Sequence, residues 1–275
     1  MLKTTWFTLD TNLLFTFKNF FHIGETSSKS MQLTNIAQAF AQIPYENLTK
    51  IIKNNVEKNS EKSRRYPKEV IHDHIQYGAG GTCFSLTMAL LHLTQSMGIP
   101  AEPILADRHY GSNTHCALLV WIDGEPHILD PGFLIVHPIP LIKQGELKIS
   151  TSFNELLLVA KDNGARIDLY TIQGKTKTHR LTFKTSPVDQ SEFFKVWDDS
   201  FGWDMMQYPL LTSISNQQQI YLQSNRLMKR AKDMTEKHEI DPAKLVESIS
   251  ALFKIHPTVV DRALTILKQT GKLCG

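Results

Sequence analysis

The chain has 275 residues, 41% of them apolar and 21% charged, with 30 basic against 27 acidic side chains and a net charge of +3. This is the composition of an ordinary globular protein long enough to bury a core, without the long single-sign block that a nucleic-acid partner would want. Three cysteines (Cys83, Cys116 and Cys274) form an odd set without metal-type spacing, which argues against a disulfide scaffold and for a reducing, cytoplasmic compartment. The opening "MLKTTWFTLDTNLLFTF" lacks a sustained apolar core, and no apolar run is long enough for a bilayer, so neither a signal peptide nor a membrane span is expected.

Residues 1–97 read as mostly helical. "SMQLTNIAQAFAQI" places Leu33, Ile36, Ala37 and Phe40 at helical spacing and stops at Pro44. "SLTMALLHLTQSMG" puts Leu86, Leu90, Leu93 and Met97 on one face and closes at Gly98 and Pro100. Residues 98–187 change period. "HCALLVWIDGEPHILDPGF" reads as a hairpin with a strand near 115–122, a "DGEP" turn and a return through "HILD". "ELLLVAKDNGARIDLYTIQ" is a second hairpin, and "THRLTFK" a further strand. Residues 188–275 read as helical again: "QQIYLQSNRLMKRAKDM", a second helix capped by Asp241 with Pro242 at its first position, and "HPTVVDRALTILKQTG" closed by Gly271. The fold class is α+β: an N-terminal helical bundle, a central antiparallel β-barrel or sheet, and a mainly helical C-terminal region.

"GAGGTCFSLTMALL" (78–91) sets Cys83 after three glycines and at the start of a helix. Free N–H groups and the partial positive charge of a helix N-terminus favour thiolate, the nucleophilic form. The glycines let a substrate approach the backbone, whose N–H groups are placed to receive an oxyanion. The same stretch reads equally as a buried packing cysteine. A nucleophile needs a base and an orienting group, and His115 and Asp130 are the candidates. A two-residue Asp123-Gly124 turn sets Ala117 opposite Asp130, with His115 its diagonal neighbour on one face; a four-residue turn keeps the face and widens the gap. Alternation turns Cys116 away from His115, as a core residue. His72 and His74 in "IHDHI" lack further ligands, so no metal is expected. Asp107, Arg108, His109 and Tyr110 read singly as a solvated connection, in a loop placed to border a pocket.

These residues in this order resemble the arylamine N-acetyltransferase family. "GGTCFSL" is similar to its cysteine segment, "HCALLV" to its histidine strand and "LDPGF" to its aspartate turn; "IPYENL" (43–48) and "TSPVDQSEFF" (185–194) resemble two further family segments. The resemblance implies a helical domain over 1–97, a β-barrel domain over 98–187 and a C-terminal lid over 188–275. It implies Cys83 as acyl acceptor, His115 as base and Asp130 as orienter in ping-pong transfer of an acetyl or other short acyl group from acyl-CoA to a small-molecule amine. "DPGF" is also similar to transglutaminase-like cysteine enzymes, which leaves an amide synthase or hydrolase, or a non-catalytic relative, as the alternative. Departures are specific. Ala79, Thr82 and Ser85 stand where the family has an arginine, an aromatic and a glutamate, and Pro131 and Leu134 replace a valine and a second glycine. Ala79 and Ser85 cannot form a charged pair, so the bracing that such a pair gives the pocket is expected to be absent.

Overall fold

The computed structural model describes residues 6–232 and 234–272. Its first part holds α1 (Thr11–Phe20), α2 (Lys29–Phe40), a two-residue strand β1 (Tyr45–Glu46), α3 (Leu48–Glu57), α4 (Ser60–Ser63), α5 (Pro67–Tyr77) and α6 (Cys83–Ser96). Leu33, Ile36, Ala37 and Phe40 of α2 are buried, as their spacing predicts, and the Ser28 hydroxyl caps the helix by accepting from Met31 N. α6 is buried all round. Every residue from Cys83 to Thr94 is buried, which makes this helix the rod on which the other elements pack. Truncating Leu86 or Leu90 to alanine there costs about 2–5 kcal/mol.

A period of two begins at Ala101. Strands β2 (Ala101–Arg108), β3 (Gly111–Ile122), β4 (Glu125–Asp130), β5 (Ile135–Pro140), β6 (Glu146–Ser150), β7 (Glu155–Lys161), β8 (Arg166–Gln173) and β9 (Thr176–Lys184) form one antiparallel sheet in the order β5-β4-β3-β2-β9-β8-β7-β6. Asp123 and Gly124, both at positive φ (51° and 84°), make a two-residue turn with Ile122 opposite Glu125. Ile104, Ala117, Ile128, Ile139, Leu158, Leu169 and Leu181, one from each of seven strands, belong to a single buried cluster, so the sheet curls to pack on itself. Its end strands β5 and β6 are not hydrogen-bonded to each other among the described residues, which leaves the barrel open. The other face of β2–β4, with Leu105, Cys116, Leu118, Val120 and Leu129, shares a core with α6.

The last part differs from expectation. α7 (Gln190–Asp199) is capped by Asp189, which accepts from Glu192 N at 3.0 Å. Then come β10 (Leu210–Ser215), β11 (Gln218–Gln223), β12 (Arg226–Arg230) and β13 (Thr235–Glu239), in a second antiparallel sheet of order β1-β10-β11-β12-β13. The stretch read as a helix from Gln218 is therefore a hairpin. Ser224-Asn225 turns it, with Gln223 opposite Arg226 and Ser224 at φ 56°. Ile220, Leu222 and Leu227 are buried against the C-terminal helices, and the region is mixed instead of mainly helical. Asp241 does accept from Ala243 N, but it caps a 3₁₀ turn, Pro242–Lys244, that leads into α8 (Leu245–Phe253). α9 (Pro257–Gln269) follows and packs on α3 through Val260, Leu264 and Leu267. No helix among the described residues is long and apolar enough to cross a membrane.

Candidate active site

The N-terminus of α6 is fixed from outside the helix. Tyr45 of β1 bridges Gly81 on one side and pairs with Thr212 of β10 on the other. Glu46 N donates to Gly81 O at 2.9 Å, and Gly81 N donates to Pro44 O at 3.3 Å. The two glycines serve this contact and not a substrate. A Cβ on Gly80 would lie 1.7 Å from Pro44 O, and one on Gly81 would lie 2.5 Å from Ser85 Oγ. Gly80 N is committed to Glu46 Oε1 at 3.2 Å, so an oxyanion would be left to the N–H groups of the α6 N-terminus itself.

Ala79 and Ser85 form no charged pair, but a different one braces the same stretch. Arg65, from the connection between α4 and α5, reaches the place that Ala79 leaves empty of charge. Its Nη1 donates to Gly80 O and, at 2.7 Å, to Thr49 Oγ1, and lies 3.8 Å from Glu46 Oε1. Its Nη2 donates to Asp73 Oδ2 at 2.7 Å. Glu46 accepts from Thr49 N at 2.9 Å and from the Thr49 hydroxyl. Both charged side chains are buried, and a buried pair of this kind stands only where its remaining donors and acceptors are satisfied. Here it clamps the Gly80–Gly81 backbone by its carbonyl and its N–H.

The β3–β4 hairpin delivers the other two groups. Its register runs to Leu118 opposite Leu129, one step short of Ala117 and Asp130, as a two-residue turn requires. His115 Nε2 lies 2.7 Å from Asp130 Oδ2, and Asp130 Oδ1 accepts from Phe133 N at 2.9 Å. Arg108 Nη2 lies 3.2 Å from His115 Nδ1. A guanidinium only donates, so in the neutral ring the Nδ1 lone pair accepts from Arg108 and the proton sits on Nε2, toward Asp130. Gly132 measures how close Cys83 and His115 are: a methyl added there would sit 2.9 Å from both Cys83 Cβ and His115 Cε1. The structure thus brings Cys83, His115 and Asp130 together. Cys274 lies outside the described residues.

Charge is distributed to favour an ion pair. The Cys83 thiol is held well below its ordinary value. The hydrogen bond from Cys116 is the largest cause; burial opposes it; the hydrogen bond and charge of His115 and the Arg108 charge reinforce it. Burial would push the His115 imidazole down, yet the Asp130 charge and hydrogen bond, with the bond to Cys83, carry it up to about 9. Both shifts favour thiolate beside imidazolium, a combination able to attack an activated acyl carbon and then protonate the leaving group.

Cys83 opens into a cavity of about 880 Å³. Arg108, His109 and Tyr110 line one side with the 132–134 turn, and Trp203, Tyr208 and Tyr221 line the side formed by the C-terminal part of the chain. A model of the N-acetyltransferase family matches residues 31–261. The chain belongs to this family. The fold of this N-acetyltransferase is also that of solved arylamine N-acetyltransferases. The enzyme from Mycobacterium abscessus is 16% identical with a TM-score of 0.80, covering 96% of this chain and 99% of that one. The Mycobacterium marinum enzyme in complex with CoA is 16% identical with a TM-score of 0.77, covering 95% and 100%. A Bacillus cereus enzyme described as having a unique Cys-His-Glu catalytic triad is 17% identical with a TM-score of 0.69, covering 90% and 100%. No curated protein matches by sequence.

The structure refines the sequence reading of this N-acetyltransferase site at two positions and adds Lys50, which that reading missed. Arg108, His109 and Tyr110 border the cavity, as the loop reading allowed, with Arg108 ending β2 instead of lying in a loop, whereas Asp107 turns outward to Lys184 (3.0 Å) and Arg166 (3.4 Å). Leu134 lines the cavity at φ 61°, the left-handed region that suits the glycine which the family resemblance leads one to expect there. Lys50 is a buried lysine whose Nζ donates to Ser200 O at 3.0 Å and Ser200 Oγ at 2.5 Å and lies 4.4 Å over the Phe201 ring. It holds the Ser200–Trp203 segment, part of which forms the cavity wall, and burial pushes it down to about 7.

Proposed function

We propose that this acyltransferase moves an acetyl or other short acyl group from acyl-CoA to an arylamine, with Cys83 as nucleophile, His115 as acid and base, and Asp130 as orienting carboxylate. The observation that carries the reading is the meeting of these three side chains at the wall of an aromatic-lined cavity. The Cys83 sulfur attacks the thioester carbonyl, the carbon–sulfur bond to CoA breaks, and the departing thiolate takes the imidazolium proton from His115. An amine then attacks the acyl-cysteine. Neutral His115 removes its proton through Nδ1, the amide leaves, and the Cys83 thiolate is restored. Asp130 keeps Nε2 protonated throughout. The tyrosines and Trp203 offer flat faces to an aromatic acceptor. The names of the similar solved enzymes, one of them with CoA bound, agree with this substrate pair.

The test is single-turnover acylation. Acetyl-CoA without amine should release CoA stoichiometrically with protein and leave one acetyl group on the peptide containing Cys83, and an arylamine should discharge it. Failure of every short acyl-CoA, with labelling by a carrier-protein thioester instead, would move the chain to the transglutaminase-like alternative. A protein labelled by neither would be a non-catalytic relative.

A further inference from the structure

Cys116 is a second buried thiol that the acyl-transfer cycle does not consume. Strand alternation sends His115 to the barrel interior with Ala117 and Leu119, and sends Cys116 the other way, onto α6 with Leu118 and Val120. Thr87, four residues after Cys83 and on the same face of α6, marks the contact. Cys116 Sγ lies 3.4 Å from Thr87 Oγ1, and that hydroxyl donates to Cys116 O at 3.5 Å. Cys116 therefore packs on the face of α6 one turn from Cys83, next to His115 in its own strand, and the two thiols shift in opposite directions through each other, Cys83 down and Cys116 up. The two thiols differ in access. Cys116 is fully enclosed, whereas Cys83 lines the cavity. A solute in the cavity therefore meets Cys83 and not Cys116. A valine or alanine would fill the Cys116 position among Leu118, Val120 and Leu129 just as well, so packing alone does not call for sulfur there.

We propose that Cys83 and Cys116 are a thiol–disulfide pair: a hydroperoxide entering the cavity oxidises Cys83, and Cys116 resolves the product as an intramolecular disulfide. In the first step the Cys83 thiolate attacks a peroxide oxygen. A sulfur–oxygen bond forms, the oxygen–oxygen bond breaks, and the departing oxyanion takes the His115 proton and leaves as water or an alcohol. Cys83 has then given two electrons to the peroxide and is a sulfenic acid. In the second step the Cys116 sulfur attacks the Cys83 sulfur. The sulfur–sulfur bond forms, the sulfur–oxygen bond breaks, and hydroxide leaves as water with the Cys116 proton. The sum is two thiols and one hydroperoxide giving one disulfide, one water and one water or alcohol. Acyl transfer stops while the bridge stands, and an external dithiol restores it by exchange. Without Cys116 the sulfenic acid lacks a neighbouring thiol, and further oxidation to sulfinic acid is irreversible.

The experiment treats the full chain, in a Cys274→Ser background, with a small excess of hydrogen peroxide and follows it by intact and peptide mass spectrometry. The expected result is a loss of two hydrogens per chain, a linked pair of peptides containing Cys83 and Cys116, and loss of acylation that dithiothreitol reverses. Cys116→Ala and Cys116→Ser should instead gain two oxygens on Cys83 and stay inactive after reduction. The unsubstituted pair decides the matter by itself, whatever the variants do to folding. No linked peptide, with sulfinic acid accumulating on Cys83 in the presence of Cys116, overturns the proposal.

Discussion

His115 Nε2 and Asp130 Oδ2 stand 2.7 Å apart with no exposed surface on either side chain. Asp130 Oδ1 is already committed to Phe133 N. In Asp130→Asn the amide must keep its oxygen toward Phe133, which turns its NH₂ toward Nε2. The ring is then forced to carry its proton on Nδ1, the wrong tautomer for a base. We expect kcat/KM for acetyl-CoA and an arylamine to fall by about 10³–10⁴-fold, as in other triads. Asp130→Glu keeps an acceptor and should retain more activity than the asparagine. Equal activity of Asn and wild type would make Asp130 a strand-end residue only.

The resting ion pair sets the pH profile of acylation. The thiol is depressed, so thiolate is present well below the ordinary cysteine range, and imidazolium is lost as pH rises through about 9. The rate should climb on the acid side through the depressed thiol value and fall on the alkaline side near 9. The Arg108 charge lowers both groups. Arg108→Gln should therefore move both limbs toward higher pH, measured as kcat/KM for acetyl-CoA and, for the sulfur alone, as the pH dependence of iodoacetamide alkylation.

Gly132 is small because two reacting side chains meet over it. Gly132→Ala puts a methyl 2.9 Å from Cys83 Cβ and from His115 Cε1, tighter than carbon contacts allow. Overpacking of this kind costs about 1–3 kcal/mol of stability, but the larger effect should be on geometry, with acylation down by about 10²-fold. Burst kinetics and a melting curve separate the two.

Arg65 and Glu46 make a separable prediction. Arg65→Met leaves the Glu46 carboxylate buried without its cation, which costs about 3–5 kcal/mol. Adding Glu46→Met removes that stranded charge and should recover much of the melting temperature. It should not recover acylation fully, because the Gly80 backbone has lost both its side-chain anchors. A double-mutant cycle on both readouts checks this.

Lys50 ties stability to pH. Burial lowers it from 10.5 to about 7, so between those values the unfolded chain binds more protons than the folded one. Unfolding free energy then rises with pH across that window and is lost as pH falls toward 7. Lys50→Met should flatten the slope in denaturant titrations run from pH 7 to 10. An unchanged slope would show that Lys50 titrates normally.

Elements governed by local pattern were legible in the sequence. α6 is announced by its apolar run and Gly98, and the β3–β4 hairpin by alternation around Asp123-Gly124, which is enough to align His115 with Asp130. The β11–β12 hairpin was not. Its turn, Ser224-Asn225, has no glycine, and the seven-residue spacing of Ile220 and Leu227 also suits a helix; only docking of β10 and the C-terminal helices decides between the two periods. The Arg65 clamp was invisible for another reason. Its partners, Glu46, Thr49, Asp73 and Gly80, lie on different elements, and no short motif encodes a meeting that the tertiary fold creates.

The bridge from Gly81 through Tyr45 to Thr212 has a consequence for biosynthesis. The backbone that holds the reactive sulfur is completed by a strand translated long after the nucleophile itself. A nascent polypeptide still lacking residues 210–215 has an open edge at Tyr45 and a loosely held helix start, and its sulfur should react with alkylating agents like that of any free cysteine. Arming of the nucleophile thus waits on a strand made far downstream of it in the chain.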